Sequence, residues 1–306
     1  MPSGRQGSIH LFRFAGVDVF LHWTWFVIAI FEINSRAGRY SSILWNVLEY
    51  LTLFVIVLLH EYGHALACRQ VGGIANRIVL WPLGGVAFVD PPPRPGATLW
   101  SLAAGPLVNV ALLPILMAIA AASRVFGWEL TMPNAYTFVQ TMLLINAVLL
   151  CFNLLPIFPL DGGQILRSLL WFVMGRARSL MAATIVGFAG VAAMIVFAVR
   201  SGSLWFGVMA AFILLMCWSG MRQAVALLRM AKLPRREGLA CPWCKAAPPI
   251  GNFWRCANCK TVFDTFATNA VCPYCAAQFP VTRCIECGRS YPMHDWMVTA
   301  YANSKA

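Results

Sequence analysis

Residues 43–66 read ILWNVLEYLTLFVIVLLHEYGHAL, an apolar run that closes on the pattern HEYGH at residues 60–64. The run is long enough to cross a bilayer, because a spanning helix needs about 20 predominantly apolar residues. Residues i and i+4 share one face of a helix, so His60 and His64 can point at one metal ion. The stretch therefore predicts a transmembrane helix with a metal site at its end.

The residue types in this pattern favour zinc. Two imidazoles and a carboxylate suit a zinc ion and leave one coordination position open. Glu61 projects beside the ion, where it can take a proton from water. The same pattern occurs by chance in soluble helices, but ionisable side chains at the end of an apolar run are costly and mark functional sites.

A third ligand is expected from an acidic residue. Four acids lie between the histidines and the cysteine-rich tail: Asp90, Glu129, Asp161 and Glu237. Glu129 falls in a loop on the opposite side of the membrane, and Glu237 lies in the juxtamembrane tail. Asp90 precedes a proline run that favours a loop role. Asp161 follows the fourth span on the same side as the histidines, so elimination favours Asp161.

The composition describes a polytopic α-helical membrane protein. Of 306 residues, 60% are hydrophobic and 11% are charged, with a mean hydropathy of +0.70. Soluble domains carry about 25% charged residues, so the deficit of charge rules out disorder and argues against a single water-soluble globule. About six transmembrane helices are predicted, at Val19–Ile33, Ile43–Leu66, Leu99–Ala122, Ala135–Leu155, Leu180–Val199 and Leu204–Leu228.

The basic residues indicate an orientation for these spans. Loops on the side of the N-terminus hold 12 arginines and lysines, and the opposite loops hold 4. Because basic loops stay in the cytoplasm, both termini are expected to be cytoplasmic. The expected location is the cell membrane. Most of the net charge of +12 therefore reflects topology rather than nucleic-acid binding.

Residues 74–90 do not fit a helix. The stretch IANRIVLWPLGGVAFVD is rich in β-branched and aromatic residues and is broken by Pro82, Gly84 and Gly85. It predicts a short membrane-associated β-hairpin, two extended pieces around a turn.

The composition changes at residue 239, which divides the chain into a membrane domain, 1–238, and a cytoplasmic tail, 239–306. The tail has four Cys-x-x-Cys pairs, a strong zinc signature: Cys241/Cys244, Cys256/Cys259, Cys272/Cys275 and Cys284/Cys287. We expect a double zinc ribbon with two structural zinc ions, each held by two consecutive pairs. Disulfides conflict with a reducing cytoplasm. A protein partner for the ribbons stays open, and the lack of a basic stripe disfavours nucleic acid.

Three ordered motifs resemble the core motifs of site-2 proteases: His60–His64, the stretch GPLVN at residues 105–109, and residues 153–163. The resemblance covers about residues 10–230. It implies an intramembrane zinc metalloendopeptidase that cuts transmembrane protein substrates within the lipid bilayer, releasing a cytosolic regulator.

Position by position, the resemblance implies that His60, His64 and Asp161 are ligands of a catalytic zinc and that Glu61 is the catalytic base. It further implies that Asn153 holds the substrate or the developing oxyanion. Gly105 and Asn109 match a helix-packing motif beside the site. The region 82–85 resembles a β element that pairs with unwound substrate, in the manner of strand addition.

Two other interpretations of the chain stay open. A catalytically silent scaffold could bind partners through the ribbons, although all four catalytic positions are present. A zinc transporter would need ligands across both leaflets, and the polar residues cluster near one side. Cys68 is expected to be a small buried side chain. His22 is expected to lie at the membrane interface.

Overall fold

The computed structural model describes residues 7–36, 38–81 and 84–297. The chain forms two compact units that divide between Ala224 and Val225, inside the last long helix. The division lies ahead of the change in composition at residue 239, and the domain boundary at that residue stays a prediction.

Five helices are long and apolar enough to cross a membrane. They are α2 (Ile43–Gln70), α3 (Pro95–Val125), α5 (Pro133–Leu154), α6 (Asp161–Ser201) and α7 (Leu204–Ala231), with the short helices α1 (Thr24–Ser35) and α4 (Trp128–Thr131) between them. Helix α2 begins at a capping residue, Ser42, whose hydroxyl accepts a hydrogen bond from the Leu44 amide at 3.3 Å. The polytopic helical fold is confirmed.

The first predicted span differs from the structure. Residues 19–22 belong to a strand, and the helix that follows, α1, has only 12 residues. At 1.5 Å per residue it measures about 18 Å, less than the roughly 30 Å of a hydrocarbon core. In the sequence these residues merge with α1 into one apolar run, which conceals the change from strand to helix. In the structure Val17, Val19 and Leu21 are buried and alternate with less buried neighbours, as a strand requires.

The predicted hairpin is confirmed and belongs to a larger sheet. The strands run in the order β1 (Ser8–Phe14), β2 (Val17–His22), β3 (Ile74–Trp81) and β4 (Gly84–Asp90). Strands β2 and β3 are parallel, with Asp18 opposite Arg77, and the other neighbours are antiparallel. The parallel pair needs a long crossover, which α1 and α2 supply.

One face of the sheet packs on α2. The buried strand residues Val19, Leu21 and Ile78 share a core with Val57 and Ala65 of the helix. This core holds the sheet against the helix that carries the HEYGH pattern. The edge strand β4 therefore runs alongside that pattern.

A buried carboxylate anchors the connection between α1 and α2. Glu49 is 4% exposed, accepts a hydrogen bond from the Tyr40 hydroxyl at 2.5 Å and pairs with Arg36. Arg39 donates to the Thr141 hydroxyl of α5 at 2.8 Å. Burial, followed by the hydrogen bond with Glu49, raises the pKa of Tyr40 to about 12, so Tyr40 stays a donor across the physiological range.

Helix α6 is interrupted at Gly175, whose φ of 80° and ψ of 169° are not helical. The positive φ is open to glycine without steric cost. The break separates an N-terminal piece, residues 161–174, from a longer piece that ends at Ser201. The first piece contains a short, mostly apolar stretch at residues 165–174.

The tail forms two four-cysteine clusters. We call Cys241, Cys244, Cys284 and Cys287 the outer site, and Cys256, Cys259, Cys272 and Cys275 the inner site. The closest sulfur pairs across the knuckles are 3.7 Å apart in the outer site and 3.6 Å apart in the inner site. A tetrahedral zinc with bonds of about 2.3 Å spaces its sulfurs at roughly 3.8 Å, whereas a disulfide needs about 2.05 Å. The sulfur spacing therefore fits zinc.

The expected pairing of consecutive knuckles is wrong. The structure nests the sites, so the first knuckle joins the fourth and the second joins the third. The cause lies in the ends of the tail, which meet at a bridge between Leu239 and Met297. Trp296, 1% exposed, packs on Phe266 with ring centroids 4.9 Å apart, and their core includes Cys241. Packing between the two ends of the tail therefore decides which knuckles pair, although pairing consecutive knuckles would give shorter loops.

Two small hairpins frame one knuckle of each site. Strands β5 (Trp254–Arg255) and β6 (Val262–Phe263) flank the second knuckle, and β7 (Thr282–Arg283) and β8 (Ser290–Tyr291) flank the fourth. A 3₁₀ turn at Met293–Trp296 follows.

The nested pairing predicts a crossed pattern of zinc loss in the purified full-length chain. The double substitution Cys241→Ser/Cys284→Ser removes ligands from one site and should lower the zinc content by one ion. Cys241→Ser/Cys256→Ser damages both sites and should lower it by two. Zinc counted by elemental analysis checks both variants; the reverse pattern would restore the sequential pairing.

Candidate metal centre

The candidate ligands come from two helices. His60 and His64 lie one turn apart on α2, and Asp161 is the first residue of α6. The histidines are 4% and 6% exposed, so this end of α2 is enclosed by protein. An acidic residue in the first turn of a helix is favoured by the helix dipole. The structure thus brings the three predicted residues together.

The three ligand atoms form a nearly equilateral triangle. Nε2 of His60 lies 3.1 Å from Nε2 of His64, and Oδ2 of Asp161 lies 3.0 Å and 3.3 Å from these two nitrogens. A tetrahedral zinc with bonds of about 2.0–2.1 Å spaces its ligands at roughly 3.3–3.4 Å. The donor set and its spacing therefore fit a zinc ion with a fourth position left open.

The far side of each imidazole is held by a hydrogen bond. His60 Nδ1 donates to Asn109 Oδ1 at 2.5 Å, and His64 Nδ1 donates to the Ser101 carbonyl at 2.8 Å. A proton on Nδ1 leaves the lone pair of Nε2 directed into the triangle. This arrangement is typical of metal-binding histidines, whose outer partners fix the tautomer and the ring orientation.

Asn146 extends this network and was missed by the sequence analysis. It lies on α5 and accepts from Asn109 Nδ2 at 2.8 Å, and its own amide donates to the Asn109 carbonyl at 3.0 Å. Both asparagines are fully buried. The first bond orients the Asn109 side-chain amide so that Oδ1 faces His60, and the second, to the Asn109 backbone carbonyl, holds Asn146 in place. Asn146 is the only amide in the apolar stretch at residues 142–152, and this is the signal that could have found it, because polar groups inside membranes are costly.

Glycines allow the helices to approach at the triangle. A Cβ built on Gly105 of α3 would lie 2.2 Å from His64 Nε2 and 2.8 Å from His60 Nε2. One built on Gly63 would lie 2.6 Å from the Ala104 carbonyl oxygen. Glycine is thus the only residue type at position 105 that leaves room for the imidazoles. Asn109 accepts a hydrogen bond from the imidazole of His60. These two residues therefore lie in the site, beyond a general role in helix packing.

Glu61 points toward the edge strand of the sheet. Its Oε2 accepts a hydrogen bond from the Ala87 amide of β4 at 2.8 Å, and its side chain is buried. A Cβ on Gly85 would lie 2.2 Å from Glu61 Cγ. Because β4 is the last strand of the sheet, its outer backbone groups are not used by a neighbouring strand. The Ala87 amide is one of these groups, so the Glu61 carboxylate lies at the open edge.

Other residues singled out from the sequence lie outside the triangle. Asn153 is half-buried near the end of α5, and the hydrogen bonds found within residues 7–36, 38–81 and 84–297 include none from its side chain. Cys68 is buried in the core between α2 and the sheet. His22 stacks on Trp81 at 4.1 Å. Asp90 ends β4. Residues 82 and 83 of the predicted substrate-pairing region fall outside the described residues.

The residues that match known proteins lie in the part of the chain that forms this site. Residues 49–129 and 128–197 match Peptidase family M50. A zinc metalloprotease of Methanocaldococcus jannaschii is 37% identical over 180 residues, which cover 59% of this chain and 50% of the relative. Stage IV sporulation protein FB of Bacillus subtilis is 34% identical over 118 residues, 38% of each chain. The chain spans about half the length, or less, of these curated relatives.

A solved structure is similar to a larger share of this chain. The site-2 protease from Methanocaldococcus jannaschii aligns with a TM-score of 0.51 and 29% identity, covering 70% of this chain and 95% of that chain. The family match, the curated relatives and this structure agree with the motifs at residues 60–64 and 153–163. Residues 49–197 of the chain belong to peptidase family M50, the site-2 protease family.

Proposed function

We propose that this protein is an intramembrane zinc metalloendopeptidase that hydrolyses peptide bonds of transmembrane substrates near the cytoplasmic side, in regulated intramembrane proteolysis. The observation that carries the proposal is the triangle of His60, His64 and Asp161 with the Glu61 carboxylate beside it. A silent scaffold would have no need for these buried ionisable groups, whose placement in an apolar bundle is costly.

The residues divide the chemistry between them. His60, His64 and Asp161 would hold the zinc, which when bound supplies Lewis acidity to the peptide carbonyl and to the attacking water. Glu61 accepts the proton of that water and delivers it to the leaving amine. Asn153 is proposed to hold the substrate backbone or the developing oxyanion, as the resemblance implies.

The edge of β4 supports a way of presenting the substrate. A transmembrane helix must unwind before water can reach its amide, and an unwound segment can add to an open strand edge. The Glu61–Ala87 hydrogen bond puts the proposed base next to that edge. We propose that the substrate lies along β4 as an added strand, so that its scissile amide comes within reach of Glu61.

The proposed placement in the membrane rests on charge. We propose six crossings, the first of them made by residues 19–33, where strand β2 leads into the short helix α1. Both termini are then in the cytoplasm and the cell membrane is the location, because 12 of 16 loop arginines and lysines lie on the side of the termini. The tail, residues 239–306, is then a cytoplasmic domain with two structural zinc ions. Its size supports the metals, since so small a domain gains stability from them. A protein partner of this tail is proposed rather than nucleic acid.

Two substitutions separate the base from a ligand. Glu61→Gln keeps the size of the side chain but removes the proton acceptor, so cleavage of a transmembrane reporter should be lost while the zinc content stays at that of the native chain. Asp161→Ala deletes a ligand and should lower the zinc content by one ion. Cleavage by Glu61→Gln, or full zinc occupancy in Asp161→Ala, would refute the assigned roles.

Gly85 offers a test of the position of Glu61. Gly85→Ala introduces a methyl group into the space of the Glu61 side chain and should shift the carboxylate. Misplacement by about 1 Å can cost roughly 100-fold in rate. We therefore expect reporter cleavage to fall by about that factor with an unchanged zinc content. The matched control is Gly207→Ala, where an added Cβ meets nothing within 4 Å.

The three asparagines are expected to differ in whether their substitution lowers zinc affinity or only cleavage activity. Loss of a partner that orients a metal-binding histidine costs about 10–100-fold in affinity. Asn109→Leu should show that loss in chelator competition, and Asn146→Leu should show it to a smaller extent. Asn153→Ala should lower cleavage without changing zinc affinity. Equal affinities in all three variants would contradict the network's role.

A further inference from the structure

The cysteines of the tail differ in how far the protein covers their sulfurs. The first cysteine of every knuckle is buried, and the second is half-buried in three of the four knuckles. Cys259, the second cysteine of the second knuckle, is exposed. The inner site therefore presents to solvent a cysteine that has no counterpart in the outer site.

The outer site lies under an aromatic cover. All four of its cysteines pack in the core that contains Phe266 and Trp296. Trp243, the residue before Cys244, packs against the same core, and the guanidinium carbon of Arg289 lies 3.5 Å from the centre of its ring. A small molecule dissolved in water must therefore pass these side chains to reach an outer sulfur.

The surroundings of Cys259 are polar instead. The core of the inner site contains Phe263 and the other three inner cysteines, and Cys259 lies outside it. Its Sγ is 3.4 Å from the Thr261 hydroxyl oxygen. The Lys260 ammonium donates to the Ala257 carbonyl at 2.7 Å, which keeps a positive charge on this turn. Exposed cysteines in electropositive surroundings are the reactive ones in proteins.

The chemistry of the inner site makes this cysteine a target for oxidation. A cysteine that ligates zinc is a thiolate, and oxidation by peroxide follows thiolate character and exposure. A second sulfur is at hand, because Sγ of Cys272 lies 3.6 Å from Sγ of Cys259. Cys151 is also exposed, but it lies on α5 and belongs to none of the metal-ligand groups found among the described residues. Its oxidation would release no metal.

We propose that Cys259 is a site of oxidation by hydrogen peroxide, at which the inner site forms a disulfide and gives up its metal while the outer site keeps its own. The proposal rests on the two structural zinc ions proposed above for the tail. A disulfide of this kind is reduced again by thiols, and transient redox-sensing disulfides are the kind found in a reducing cytoplasm.

The reaction proceeds in two displacements. The Cys259 sulfur attacks one peroxide oxygen, so that an S–O bond forms, the O–O bond breaks and hydroxide leaves. The Cys272 sulfur then attacks the Cys259 sulfur, so that the S–S bond forms, the S–O bond breaks and a second hydroxide leaves. The two sulfurs together lose two electrons, which the peroxide gains, and the hydroxides take two protons from the solvent. The inner site then has two ligands left of four and releases Zn²⁺.

The test follows zinc release from the purified full-length chain. Zinc is counted before and after one equivalent of hydrogen peroxide, and peptide mapping by mass spectrometry identifies the oxidised cysteines. We expect the loss of one zinc ion and a disulfide between Cys259 and Cys272, both reversed by dithiothreitol and added zinc. The metal centre should keep its zinc, because His60, His64 and Asp161 offer no sulfur.

Two matched variants locate the point of attack. Cys259→His keeps a ligand that zinc accepts but removes the exposed sulfur, so it should hold its zinc before and after peroxide. Cys244→His makes the same change at the second cysteine of the outer site's first knuckle and should lose one ion, as the native chain does.

Three outcomes would overturn the oxidation site. These are equal release from the inner and outer sites, a disulfide that does not contain Cys259, and release from Cys259→His as fast as from the native chain. The count made before peroxide separates this proposal from the one on which it rests. A tail without zinc at that stage refutes the structural metals, whereas a loaded tail that keeps all its zinc in peroxide refutes the oxidation of Cys259.

Discussion

The cost of placing ionisable groups inside an apolar helical bundle shapes the whole membrane unit. A charge or polar group buried there must be paired, hydrogen-bonded or bound to a metal. His60, His64 and Asp161 meet this condition only as a set, since each ligand atom lies within 3.3 Å of the other two. The rest of the unit provides the space and the outer hydrogen bonds that this set requires.

That requirement explains features that are otherwise unconnected. Gly105 makes room for the imidazoles, and the pair Asn109 and Asn146 lets α3 and α5 fix the orientation of His60 without introducing another charge. The sheet has a corresponding role for Glu61. Its edge strand supplies a backbone donor, a group that carries no net charge and is held in place by the strand. Neutral dipoles thus stabilise the ionisable groups at lower desolvation cost than further ions would.

The sequence predicted the parts that depend on local spacing. The i, i+4 histidines and the paired strands β3 and β4 follow from local signals, and both lie where the pattern indicates. Strands β1 and β2 were missed because their apolar residues merge with α1 into one run, and only pairing with β3 distinguishes them. Asn146 was missed because its partner is 37 residues away in sequence. Long-range pairing, which spacing alone does not encode, accounts for these differences.

The prediction of the cysteine pairing was wrong for a related reason. Each knuckle is a local turn, and the four turns are alike, so the sequence specifies the knuckles but not their partners. The choice is made by the aromatic core of Trp296 and Phe266 and by the bridge that joins the ends of the tail.

The nesting has a consequence for the order in which the tail is assembled. The facing cysteines are 13 residues apart in the inner site and 40 apart in the outer site. Loop-closure entropy makes the longer closure costlier by about 1 kcal/mol, and closing the inner site first shortens the remaining loop. During synthesis the inner cysteines also emerge together, while Cys244 must wait for Cys284. The tail is thus built from its middle outward, and translation and entropy favour the same sequence of events.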